Sequence, residues 1–348
     1  MTTLSATFLD VGVGDCTLIT LPDGTHMLVD VYRCPDQGTV DVFKVLRDVL
    51  PTAASGKKRL EYLVITHAHD DHIWGIGDLA DEFEIGQLWV PQYGTKQDLS
   101  TNYQAFVEVV ENHPDEDRIW QKGSRTPVAE LADEMVTVRC FSPPGFIDVE
   151  EELDEDEQRK FVHEHCGVYR LTYGGTSIML TGDSNLPAWK RIVGYYDDHQ
   201  DDDGLAVLQA AVLHASHHGS RTFVKDSKND EAWTDALGAI DPEHIVISVG
   251  ADNTHEHPHD DMLAVYEDAA EIHRTDQDAT IVMTISDDGS YTIETDDSYA
   301  ASYGWDDDES SQEAASAQAR SGGRIPPPPP PPGYETVPQR APQRERYA

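Results

Sequence analysis

Apolar residues in this chain fall into short runs separated by Gly, Pro and acidic positions. Alternating or continuous apolar segments predict strands near 4–9, 16–21, 26–30 and 62–65. Val42, Val45, Leu46 and Val49 recur at helical spacing, so a helix is predicted over 40–50, ended by Pro51. A strand near 87–90 follows. Residues 97–134 are more polar, carry a helical pattern near 103–112, and read as an insertion that could shape substrate access. Beyond it come a strand at 135–141 and an acidic helix over 149–163. Val168–Tyr173 and Thr176–Leu180 flank Gly174-Gly175 as a hairpin would. Strands near 209–214 and 244–248, a helix over 259–271, and strands near 279–285 and 290–295 complete the pattern. Two halves of strands with flanking helices make a mixed α/β fold.

From about residue 298 the pattern stops. Acidic and Ser/Ala-rich stretches lead to prolines over 326–332, then Arg340, Arg344 and Arg346. We therefore divide the chain into a folded domain, 1–297, and a disordered tail, 298–348, with a polyproline II rod inside it. Such a tail acts either as a spacer or as a docking segment for a protein partner.

Composition narrows the picture. A chain of 348 residues can bury a large core. It contains no apolar window of about 18 residues and no basic-then-apolar start. The expectation is a soluble, cytoplasmic protein without membrane association. Cys16, Cys34, Cys140 and Cys166 form no CxxC pair, which excludes a zinc ribbon and leaves buried thiols. Acidic residues outnumber basic ones by 65 to 25, for a net charge of −40. Self-repulsion of that size is tolerated where salt screens it, which points to a halophilic source or a basic partner. It also opposes loose attraction to nucleic acid at ordinary ionic strength.

The chemistry concentrates at residues 66–72, Thr-His-Ala-His-Asp-Asp-His, directly after Leu63-Val64-Ile65. On a helix His67 and Asp71 would share a face and His69 would not. At a strand end turning into a loop, all of them can converge. Imidazole and carboxylate suit zinc, manganese or iron, and a cluster this dense is typical of a dinuclear hydrolytic site.

The stretch resembles the metal-binding motif of the metallo-β-lactamase superfamily. Phe8-Leu9-Asp10-Val11-Gly12-Val13-Gly14-Asp15-Cys16 and the following Leu21-Pro22-Asp23-Gly24 sharpen the match toward the competence-type (ComEC-like) branch. In the DNA-uptake protein of that branch, the hydrolase domain is attached to a membrane channel. Leu180-Thr181-Gly182-Asp183, Ser216-His217-His218-Gly219-Ser220, Ser248-Val249-Gly250 with Asn253, and His257-Pro258-His259 follow in order, so the resemblance covers roughly 4–295. It implies a four-layer αββα sandwich and two divalent metal ions, zinc or manganese. It places His67 and His69 on one metal, Asp71 and His72 on the other, and Asp183 between them. His257 resembles the last ligand of the second metal, whereas His259 reads as a helix cap. The mid-chain ligand of the first metal is His165, with His163 the competitor. Asp71 would also orient the attacking water. His218, with His217 as the fallback, resembles a proton donor to the leaving group. Gly219 permits close backbone approach, and Ser220 could donate to an oxyanion.

Three functions fit these residues. The first is hydrolysis of a phosphodiester in DNA, RNA or a nucleotide. The second is hydrolysis at a carbonyl, as in a lactonase or thioesterase, with Tyr103, Phe106 and Trp120 lining an acyl pocket. The third is a non-catalytic, metal-stabilised interaction module, which loss of ligands would mark.

Overall fold

Two sheets lie at the centre of the computed structural model, which describes residues 2–91, 100–144, 155–196, 206–251 and 253–305. The first half runs β1 (Thr3–Phe8), β2 (Thr17–Thr20), β3 (His26–Val29), α1 (Val42–Val49) and β4 (Arg59–Val64). It continues through α2 (Asp70–Ile73), α3 (Ile76–Glu82), β5 (Glu84–Val90), α4 (Thr101–Asn112) and β6 (Arg118–Trp120). The second half opens with β7 (Ala129–Leu131), β8 (Val136–Ser142), α5 (Glu155–Glu164), β9 (Val168–Tyr173) and β10 (Thr176–Leu180). Then come α6 (Leu186–Tyr196), β11 (Val212–His214), α7 (Asp235–Ile240), β12 (His244–Ile247), α8 (Asp260–Ala269) and β13 (Glu271–Arg274). The chain closes with α9 (Thr275–Asp278), β14 (Thr280–Ser286), β15 (Tyr291–Asp296) and α10 (Ser298–Tyr303).

One sheet has the order β15-β14-β1-β2-β3-β4-β5-β6, the other β13-β12-β11-β10-β9-β8-β7. Both are mixed: β3 to β6 run parallel, as do β10 to β13, and the remaining neighbours are antiparallel. Side-chain alternation explains the layering. In β3, Leu28 faces α1 and its neighbours, while Met27 and Val29 face the opposite sheet. In β4, Leu63 and Val64 divide the same way. Strands buried on both faces read as unbroken apolar runs, as do Met27-Leu28-Val29 in β3 and Leu63-Val64-Ile65 at the end of β4. A third cluster packs α6, α7 and α8 against the outer face of the second sheet, around Trp189, Phe223 and Tyr266. The result is the expected αββα sandwich.

Two parts of the sequence reading change. Residues 100–131 are not a separate insertion: β6 extends the first sheet beside β5, and β7 forms an edge of the second beside β8. Within α4, Tyr103 and Phe106 are each 3% exposed and belong to the core under the first sheet, so they line no acyl pocket. The boundary at 297 also moves. Residues 298–305 fold back on the domain, where the Asp41 amide donates to Tyr303 O (2.8 Å) and Lys44 Nζ donates to Gly304 O (2.8 Å). Tyr303 Oη donates to Asp48, and the Arg33 guanidinium lies over the rings of Phe43 and Trp305. The proline run and the arginines after it lie outside the described residues. Among the described residues, no helix is long and apolar enough to cross a membrane.

Candidate metal centre

Four loops deliver the polar residues to one end of the sandwich. They follow β4, β10 and β11, and precede β2. After β4, Thr66 leads into His67, and His69 stands at the N-terminus of α2 in an extended conformation. After β10 the chain turns at Gly182, whose φ is +46°; a Cβ there would sit 2.6 Å from Cys166 Sγ and 2.7 Å from Thr66 Oγ1. Only glycine lets Asp183 approach this closely. Before β2, Gly14 packs on the Asp71 carbonyl, and the Asp15 amide donates to that oxygen at 3.0 Å. After β11, His217 and His218 both take left-handed φ (51° and 52°), turning two adjacent imidazoles toward the same cavity.

Two donor groups result. His67, His69, His163 and Asp183 each place one ligand atom within 4.8 Å of the others, and so do Asp15, His72, Asp183 and His218. In the first, His67 Nε2 and His163 Nε2 each lie 3.0 Å from His69 Nδ1. Asp183 Oδ2 stands 3.6 Å from His67 Nε2 and 3.4 Å from His163 Nε2. In the second, His72 Nε2 is 3.1 Å and His218 Nε2 3.7 Å from the other oxygen, Asp183 Oδ1. One carboxylate therefore serves both groups, one oxygen to each.

Asp15 Oδ1, His72 Nε2, Asp183 Oδ1 and His218 Nε2 are buried and make no hydrogen bond of acceptable geometry. Four unsatisfied buried atoms facing one another would be costly in a finished core. A divalent cation among them removes the cost, and imidazole with carboxylate is a suitable donor set. The far sides of these rings are fixed. His72 Nδ1 donates to Asp30 Oδ2 (2.7 Å), and Asp30 also accepts from the Thr66 amide and hydroxyl (2.7 Å each). His218 Nδ1 donates to Ser248 O (3.0 Å). In the neutral ring each bond keeps the proton on Nδ1, so Nε2 is the nitrogen that would turn a lone pair toward a cation in the second group.

Electrostatics follow the same division. Burial alone would lower His72 and His218, but facing carboxylates prevail. Asp183, Asp30 and Asp71 raise His72 well above its ordinary value, and Asp15, Asp183 and Asp71 bring His218 to about 9. Burial would raise Asp183 and Asp71; surrounding imidazoles instead hold both below the usual carboxylate range. Burial pushes His67, His69 and His163 down, so they present neutral rings.

The metallo-beta-lactamase superfamily model matches residues 9–230. The chain belongs to that superfamily. Over 229 residues it is 24% identical to ComE operon protein 3 of Bacillus subtilis (strain 168), covering 66% of this chain and 25% of that protein. The chain spans about a quarter of the length of the curated relatives it matches. Among solved structures, CmlA, a diiron beta-hydroxylase from Streptomyces venezuelae, is similar with a TM-score of 0.42 at 13% identity, over 80% of this chain and 53% of that one. Human tRNase Z, short form, gives a TM-score of 0.37 at 12% identity, over 70% and 92%. Members of the superfamily are mostly metal-dependent hydrolases, and the paired donor groups suit a dinuclear metal site.

Within this metallo-beta-lactamase site the expected residues are distributed unevenly. His67, His69, His72 and Asp183 fall in the two groups. Asp71 stands at the rim with its side chain 36% exposed, its Oδ2 3.4 Å from His218 Nε2 and its Oδ1 4.0 Å from His72 Nε2. His165 is not brought in. It follows the end of α5, where its Nδ1 donates to Phe161 O (2.8 Å) and its ring packs on Phe161. His163, in the last turn of α5, takes the place instead. His257 also stays outside both groups, held by Asn253 through its amide and carbonyl, with its ring 5.2 Å from that of His217. The second group is completed by Asp15 and His218. His218 thus moves from proton donor to ligand position, and His217 takes the open side, its Nε2 3.5 Å from Asp183 Oδ2. His259 stands at the N-terminus of α8 without a side-chain capping bond there; its Nδ1 accepts from the Arg221 amide (3.2 Å).

Asp15, Asp30 and Ser248 carry roles that the sequence reading did not give them. A signal existed for Asp15, a carboxylate followed by Cys16 and a strand inside an otherwise buried run. Asp30 offered less, since its role depends on the parallel pairing of β3 with β4.

Proposed function

We propose that this protein hydrolyses phosphodiesters, and small ones such as nucleotides in preference to long nucleic acid. The single observation that carries the hydrolytic part is Asp183, shared oxygen by oxygen between two buried donor groups. When bound, two divalent cations there supply Lewis acidity toward water and toward the substrate's oxygens. His67, His69, His163 and Asp183 would hold one; Asp15, His72, Asp183 and His218 would hold the other. Asp71, on the open side, accepts a hydrogen bond from the attacking water and so aims it. His217 is the ring left to exchange a proton with the leaving oxygen at Nε2, while its Nδ1 lies 3.1 Å from Thr222 Oγ1. The ordered competence-type motifs support phosphorus as the electrophile.

The preference for small substrates comes from charge. Arg59 is paired with Glu61 and Glu84, and Lys57 donates to the Asp81 carbonyl. Arg221 and Lys225 both bind Asp261. Each of these neighbouring basic side chains is thus already committed to protein partners. A net charge of −40 then leaves little to hold a polyanion. The carbonyl-directed reading loses its support with Tyr103 and Phe106 in the core.

The test is hydrolysis of bis(p-nitrophenyl) phosphate, a cyclic dinucleotide, and single- and double-stranded DNA at high salt with Mn²⁺ or Zn²⁺, using Asp71→Asn as the blank. Small diesters should turn over and DNA should be cleaved slowly or not at all. Silence on every diester, with metal shown to be bound, would overturn the proposal and redirect the search to lactones and thioesters.

A further inference from the structure

A second cluster of ligand-type side chains lies at the other end of the second sheet. His244 opens β12 and is the register partner of Glu271 on β13, while His273 stands two residues along β13 on the same face as Glu271. His244, Glu271 and His273 each offer one ligand atom, all within 4.8 Å of one another. His244 Nδ1 lies 3.1 Å from His273 Nε2 and 3.6 Å from Glu271 Oε2. Ligands 2.0–2.1 Å from a tetrahedral zinc stand ~3.3 Å apart, so these separations bracket the edge of such a polyhedron.

The cluster is supported from behind. The Tyr291 ring stands edge-on to His244 at 5.9 Å, and its hydroxyl donates to Glu243 (2.8 Å), which precedes His244 in the chain. Glu271 is 68% exposed at its side chain, which leaves the face open to solvent for a fourth ligand from water. The dinuclear centre gathers at the opposite end, beyond the C-termini of β11 and β12. His244 is separated from Ser248 by the length of β12, roughly 13 Å at strand rise.

We propose that His244, Glu271 and His273 form a peripheral binding site for one divalent cation of the borderline class, zinc above all, separate from the catalytic pair. Two imidazoles and a carboxylate select zinc, nickel or copper over magnesium and calcium. Because β13 is the edge strand of its sheet, an ion joining it to β12 closes an end that hydrogen bonds hold on one side only. This site does not depend on the proposed phosphodiester activity.

The experiment counts zinc bound to the full-length protein. Purified protein is equilibrated with Zn²⁺ against a competing chelator, and ions per chain are measured by native mass spectrometry. Three per wild-type chain are expected. His273→Ala and Glu271→Gln should each bind two, with the third ion's affinity reduced at least ~10-fold, and hydrolytic rate unchanged. Because Glu271 is exposed, its variant keeps the fold even if His273→Ala does not. Two ions in the wild type, or three in both variants at unchanged affinity, would overturn the proposal.

Discussion

Asp30→Asn tests whether the second donor group is set from behind. Asp30 is 1% exposed and touches no substrate-facing surface, yet it orients His72 through a 2.7 Å bond from Nδ1. Its backbone φ is +58°, a region that Asn occupies as readily as Asp, so the substitution fits the backbone. The amide oxygen can keep the bond from the Thr66 amide, and the Thr66 hydroxyl can rotate to accept from the new NH₂. Loss of fold stability should therefore stay near 1 kcal/mol. The consequence for His72 is larger. An NH₂ facing Nδ1 forces that nitrogen to accept, which places the proton on Nε2, the atom turned toward Asp183. Affinity for the second cation should then fall about 10–100-fold, or roughly 1.4–2.7 kcal/mol. The first group, reached through Thr66 Oγ1 at 3.2 Å from His67 Nδ1 and through the other oxygen of Asp183, should change less than about fivefold. Chelator-competition titration with Mn²⁺ or Zn²⁺ reads both steps. Two unchanged affinities in a folded Asp30→Asn protein would refute the tautomer argument.

Other outcomes follow from the same geometry. Asp71→Asn and His69→Ala should each abolish turnover, checked by diester hydrolysis, while circular dichroism at high salt stays native. His217→Ala should slow release of an alkoxide leaving group by about 10²–10⁴-fold and that of p-nitrophenolate far less, since only the poor leaving group needs a proton; equal losses would contradict the role. In the metal-free protein the stabilising contribution of His218 should weaken as pH rises. His218 is raised in the fold to about 9 from an ordinary value near 6.5, so its contribution is complete below ~6.5 and disappears as pH passes about 9, at most about 3 kcal/mol. The difference in urea midpoint between metal-free wild type and metal-free His218→Asn should shrink between about pH 6.5 and 9.5, and a growing difference would contradict this. Truncation after residue 305 should leave stability unchanged, whereas truncation after 297 should cost about 3 kcal/mol, because it removes three hydrogen bonds and the aromatic contacts of Tyr303 and Trp305.

Much of the sandwich was legible because β3, β10 and β14 carry apolar runs, β4 ends in one, and Gly174-Gly175 marks the hairpin between β9 and β10. The short α2 and α3 were not, since Gly75 breaks any helical period between them and the polar residues of α2 belong to the site motif. The strand β13 was hidden in the amphipathic pattern that begins with α8. The motif 67–72 gave half of one metal group, His67 and His69, and His72 of the other. The choice between His163 and His165 could not be read, because it turns on the phase of α5, which its packing and not its sequence sets. His218 was misassigned for a related reason: two adjacent histidines can both point inward only with left-handed φ, and nothing local announces that. The tail boundary moved because Tyr299, Tyr303 and Trp305 supply an apolar face within a polar stretch.

The central claim is that two cations sit in two donor groups joined by Asp183. Anomalous diffraction at the zinc edge, on crystals of the full chain soaked in Zn²⁺, tests it most directly. Two peaks are predicted at this end of the sandwich, one among His67, His69 and His163 and one among Asp15, His72 and His218, with an Asp183 oxygen toward each. A single peak, or a second peak coordinated by His165 or His257 in place of His163 or His218, would contradict the account.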